Sequence, residues 1–112
     1  MALVKYENIQ LRIDMELKRD FETLCSNLGT TCSQAVTLLA DSCGTKDELP
    51  FDIVYNMNWK KSEEAQQERI AIRIEGDKKK RFSQFCNARG LSMSAVVKMF
   101  MLQCLEQGKL PL

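Results

Sequence analysis

Histidine is missing from all 112 residues, which removes the commonest general base and the usual partner of a nucleophilic serine or cysteine. Nor do the five cysteines, Cys25, Cys32, Cys43, Cys86 and Cys104, suggest a zinc site. No two stand as C-x-x-C, and no imidazole is there to complete a ligand set. An odd number of thiols without a secretory leader argues against a disulfide framework. No run approaches the ~18 consecutive apolar residues of a membrane span, and Met1–Tyr6 is too short to hold the apolar core of a signal sequence. The expectation is a cytoplasmic protein that is not an enzyme, needs neither cofactor nor metal, and has no membrane partner.

What is present is a core-forming share of 45% hydrophobic residues, a surface-forming share of 28% charged ones, and a formal net charge of +1. That near-neutral sum hides an imbalance. Residues 1–51 carry five basic and eight acidic side chains (−3), residues 52–68 two and four (−2), and residues 69–112 nine and three (+6). Positive charge gathered in the last third points to a polyanionic partner.

The chain also repeats itself. Shifted by 61 residues, Ile9–Phe51 aligns without a gap on Ile70–Leu112. Identical pairs include Arg12/Arg73, Lys18/Lys79, Phe21/Phe82, Cys25/Cys86, Gly29/Gly90, Ser33/Ser94, Val36/Val97, Cys43/Cys104 and Pro50/Pro111. Each copy opens with strict alternation. Ile9, Leu11 and Ile13 alternate with Asn8, Gln10 and Arg12; Ile70, Ile72 and Ile74 alternate with Arg69, Ala71 and Arg73. A period of two predicts a half-buried strand.

An amphipathic helix follows, over roughly 15–28 in the first copy, with Leu17, Phe21, Leu24, Cys25 and Leu28 as its apolar stripe. Gly29 and Gly90 stand where a left-handed residue ends a helix. Thr31 and Ser92 are natural N-caps of a second helix, and Gln34 completes a capping box with Thr31. The second helices are strongly apolar, through Ala35, Val36, Leu38, Leu39 and Cys43 and through Val96–Leu105, with Gly44 and Gly108 as their stops. The division is a first unit at 1–51, a linker at 52–68 and a second unit at 69–112. Tyr55 and Trp59 suggest that part of the linker packs on the body.

A lone strand can neither satisfy its backbone nor bury its apolar face. The simplest solution pairs the two strands antiparallel within one chain over four helices. The predicted class is therefore mostly α with a two-stranded antiparallel ribbon, a pseudo-dimer within one polypeptide. This pattern resembles the ribbon-helix-helix DNA-binding family of the Arc and MetJ type, over about three quarters of the chain. The runs "NIQLRIDMELKRDFETLCSNLGTTCSQAV" and "RIAIRIEGDKKKRFSQFCNARGLSMSAVV" look most like RelB/DinJ-type antitoxins, here in tandem. "ELPFDI" and "KLPL" resemble the short tail that follows the second helix there. The spacing G-x-[ST]-x-S, found twice behind an alternating strand, is the most specific sign.

The resemblance implies a sequence-specific transcriptional regulator, a repressor that inserts its ribbon into the major groove of double-stranded DNA. Asn8, Gln10, Arg12, Arg69 and Arg73 would then read bases, with Ala71 against a thymine methyl. Phosphate contacts would fall to Thr31, Cys32 and Ser33, to Ser92, Met93 and Ser94, and to Lys78, Lys79, Lys80 and Arg81. Chains would associate side by side on DNA. Unlike family members built from two identical strands, this chain carries Asn-Gln-Arg against Arg-Ala-Arg, so a non-palindromic half-site is expected.

The alternative implied by the same resemblance is an antitoxin that neutralises a RelE/YafQ-like ribonuclease toxin, with or without DNA autoregulation. Such antitoxins wrap the toxin with a C-terminal extension. Against this alternative, the second repeat runs to Leu112, which leaves the linker, residues 52–67, as the one spare segment for such a role. A third reading keeps the fold purely as a dimerisation or docking unit.

Overall fold

The computed structural model describes residues 5–46 and 67–110. The order strand-helix-helix occurs twice: β1 (Tyr6–Asp14), α1 (Met15–Asn27), α2 (Cys32–Lys46), then β2 (Gln67–Glu75), α3 (Gly76–Ala88) and α4 (Met93–Gln107). β2 begins at Gln67, ahead of the Arg69 start that the alternation suggests. Tyr55 and Trp59 lie outside the described residues, as does the rest of 47–66.

The two strands pair antiparallel into a two-stranded sheet. Such a ribbon is marginal alone and needs an apolar layer beneath it. Ile9, Leu11, Ile13, Ile72 and Ile74 are buried against the helices and Ile70 is half-buried. Below them, α2 packs chiefly on α3 and α4 on α1, so each unit's second helix closes over the other unit's first. Phe21 of α1 meets Phe100 of α4 edge to face, with ring centroids 6.2 Å apart and planes at 71°. At the matched positions stand Phe82 and Leu39, both wholly buried. Neither unit encloses a core of its own.

Helix ends follow local chemistry. Gly29 (φ 75°) and Gly90 (φ 69°) take the left-handed conformation. The N–H groups of Thr30 and Leu91 then reach back to the carbonyls of Cys25 and Cys86 at 2.8 and 2.9 Å, closing a Schellman turn in each copy. Gly108 ends α4 in the same backbone region. Gly44 does not end α2, which continues to Lys46. A helical glycine costs only about 1 kcal/mol against alanine, and the Arg81 side chain lies against its bare backbone.

Two leucines assigned to the core are instead outside it. Leu28, at the C-cap of α1, is swung out by the turn and is 45% exposed. Leu38, 48% exposed, falls off the face of α2 that buries Ala35, Val36, Leu39, Ala40 and Cys43. The capping box is also only half formed. Thr31 Oγ1 accepts from the Gln34 N–H at 3.1 Å, but the Gln34 side chain accepts from the Thr30 hydroxyl at 3.0 Å.

Candidate nucleic-acid interface

Alternation leaves Asn8, Gln10 and Arg12 of β1 and Arg69, Ala71 and Arg73 of β2 exposed on the ribbon face that points away from the helices. The register sets Arg12 opposite Arg69, Gln10 opposite Ala71 and Asn8 opposite Arg73. Residues 10 and 71 are also each other's equivalents in the repeat. The pseudo-twofold axis therefore passes between them, and the equivalent arginines Arg12 and Arg73 fall at opposite ends.

Directly opposed residues hold their Cβ atoms about 4.5–5.5 Å apart, and like charges so placed are unfavourable unless an anion joins them. Among the described residues, no ion pair engages Arg12 or Arg69. At the other end the Arg73 guanidinium lies over the Tyr6 ring, 4.2 Å from its centroid, a cation–π contact that holds the side chain along the face.

The starts of α2 and α4 border this ribbon. Cys32 and Ser33 share a recess of about 260 Å³ with Arg69, Ile70 and Ala71 of β2. The Ser94 hydroxyl donates to the Gln10 carbonyl of β1 at 3.5 Å. Both N-caps are made: Ser92 Oγ accepts from the Ala95 N–H at 3.1 Å, as Thr31 does from Gln34. The N–H groups of Cys32, Ser33, Met93 and Ser94 have no intrahelical acceptor, because a helix leaves its first turn unpaired.

The basic run of α3 divides. Lys79 and Lys80 line a recess of about 600 Å³ together with Met93, while Lys78 shares a cleft of about 560 Å³ with Tyr6, Ser33 and Arg73. Lys78 is also paired with Asp41 at 3.0 Å, and Lys79 approaches Glu7 at 3.8 Å. Arg81 lies against Gly44 near the C-terminal end of α2, the end remote from the ribbon, and is not gathered with the others. The hydrogen bond that Lys78 donates to Asp41 raises its amine above the ordinary value, so it stays charged.

Cys32 is half-buried, and desolvation, with the neighbouring Cys25 adding to it, pushes its thiol up to about 12. At neutral pH it is a protonated thiol. Among the described residues there is no cluster of His, Cys, Asp or Glu fit to hold a metal, and no helix long and apolar enough to cross a membrane.

Sequence reasoning missed Tyr6, Glu7 and Asp41. Tyr6 carried a signal, since it lies two residues before Asn8 on the same side of a period-two strand. The acidic partners carried none, being brought to Lys78 and Lys79 by packing between elements distant in the chain. The family model described as RelB, RelB antitoxin, matches residues 6–66 and again residues 67–112. No curated protein and no solved structure matches the chain.

Proposed function

The chain belongs to the RelB antitoxin family, as a tandem duplication, and from that premise we propose that it is an antitoxin that binds and neutralises a small ribonuclease toxin of the RelE/YafQ kind. The observation that carries this reading is the double match, which leaves no residue from Tyr6 onward outside the family pattern. Co-expression tests it. A small basic reading frame adjacent to this gene should arrest growth alone, and this chain should relieve the arrest and co-purify with the product. Absence of both effects overturns the reading. Substituting the ribbon arginines should leave the relief intact.

A second activity rests on a separate observation, the exposed outer face of the ribbon with Arg12 set opposite Arg69. We propose that this face enters the major groove, which is wide enough for a two-stranded ribbon, and that the protein thereby represses its own operon. Arginine grips guanine through two acceptors, asparagine and glutamine grip adenine, and the Ala71 methyl meets a thymine methyl. Free N–H groups at the starts of α2 and α4 hold flanking phosphates. Lys79, Lys80 and, once released from Asp41, Lys78 add attraction that is blind to sequence.

Fluorescence anisotropy on the DNA upstream of the gene checks this. Arg12→Ala or Arg73→Ala should relax preference at a base pair and cost about 1–3 kcal/mol. Neutralising Lys78, Lys79 and Lys80 should weaken all sequences alike and flatten the salt slope. An Arg73→Ala protein with unchanged affinity and preference would remove the ribbon from the interface.

A further inference from the structure

We infer that the ribbon binds its DNA in a single orientation, its Arg12/Arg69 end on a guanine-rich half-site and its Asn8/Arg73 end on an unlike half-site that includes an adenine. This rests on the DNA reading proposed above and adds to it which end is which.

A ribbon made of two identical strands presents the same groups at both ends, because the twofold axis at its centre generates one end from the other. Here the axis between Gln10 and Ala71 relates Asn8 to Arg69 and Arg12 to Arg73. One equivalent position thus carries an amide and the other a guanidinium. The register gathers the consequence at one place. Both strands supply an arginine to the Arg12/Arg69 end, where neither has an ion pair among the described residues. The opposite end has a single arginine beside an asparagine.

Even the equivalent arginines are held differently. Arg73 lies over Tyr6 at 4.2 Å, whereas position 67, the equivalent of Tyr6, is a glutamine and offers Arg12 no ring. A third difference, Gln10 against Ala71, sits at the axis itself and sets an adenine-gripping amide beside a methyl.

The chemistry of the two ends follows. Paired guanidinium groups suit two guanines, each offering O6 and N7 in the major groove; asparagine suits the N6 and N7 of adenine. Turning the protein end for end sets Asn8 against guanine and Arg69 against adenine, and loses both matches. One good bidentate pair discriminates by roughly 5- to 150-fold, so reversal should cost at least about tenfold in affinity.

The test is selection from duplexes randomised over roughly one helical turn, about 10 bp, which gives room for one ribbon. The wild-type chain should enrich a non-palindromic consensus with guanines at one end. Replacing the adenine-bearing half by an inverted copy of the other should lower affinity about tenfold or more. The R69N/A71Q variant, whose two outer faces match, should instead enrich an inverted repeat. A palindromic wild-type consensus overturns the single orientation while leaving a DNA-reading ribbon in place. Wild-type binding that is flat across sequences overturns the DNA reading and the inference together. These two outcomes are read from the wild-type protein and hold even if the variant does not fold.

Discussion

Among single side chains, Cys43, Cys86 and Cys104 are wholly buried, and desolvation pushes their thiols from the ordinary 9.0 to about 12, about 11 and about 12. Cys25 moves in the same direction for the same reason. These thiols serve as small apolar groups at matched positions of the repeat, and their ionisation is deferred by the fold. Below pH 9 they are protonated in both states and contribute no pH dependence. Above it the unfolded chain releases protons that the folded chain retains, so stability falls as pH rises from about 9 towards 11, by on the order of 1 kcal/mol per thiol per pH unit. The Lys18–Glu68 and Lys78–Asp41 hydrogen bonds raise their amines above 10.5. Their contribution is complete below 10.5 and is lost as pH climbs through the raised values. Thermal unfolding followed by circular dichroism across pH 8–11 should show a steep fall in midpoint above pH 9. Cys86→Ala should make that fall shallower.

Within each element, identical residue types act differently according to backbone. Gly90 sits at φ 69° in the Schellman turn after α3, where an L side chain is strained although nothing lies within 4 Å of its added Cβ. Gly44 lies inside α2 with ordinary helical geometry, and a Cβ there meets the Arg81 side chain at a comfortable 3.7 Å. Gly90→Ala should therefore destabilise by about 1–2 kcal/mol, whereas Gly44→Ala should stabilise by about 0.5–1 kcal/mol through helix propensity. Urea denaturation of the two variants checks the opposite signs. The Gly29 turn mirrors that of Gly90, so the two copies leave their first helices identically.

For the whole molecule the decisive feature is interlocking. α2 rests on α3 and α4 on α1, while the sheet joins one strand from each unit. A single unit would expose the inner face of its strand and half of every helix contact. Because both units belong to one chain, folding brings no association step, and the unfolding midpoint should not change over about a hundredfold range of protein concentration. Differential scanning calorimetry on dilution measures this. A midpoint that climbs with concentration would mean that strands are exchanged between chains. Covalent fusion has a second effect. It frees the two outer faces to differ, and the proposed oriented DNA site depends on one such difference, Asn8 where the repeat-equivalent position is Arg69.

Much of this was legible in one dimension. Period-two alternation at residues 8–13 and 69–74 marked both strands and which side of each is polar, because successive side chains of a strand point to opposite faces. Gly29, Gly90 and Gly108 marked helix ends, since a left-handed residue favours glycine locally. Three outcomes departed from the local pattern: Gly44 stays helical, the turn after α1 swings Leu28 out, and the buried face of α2 leaves Leu38 outside.

The repeat could be read from matching residues 61 positions apart, and its elements and polar outer face from residues a few positions apart. The register, in contrast, was set by the packed molecule. Centring the pairing on residues 9 and 70 would satisfy the same alternation yet set Arg12 opposite residue 67. Helix packing beneath the ribbon selects the pairing of Arg12 with Arg69. It likewise decided that Asp41 meets Lys78 and Glu7 approaches Lys79, since ion pairs between distant elements depend on closure of the whole chain.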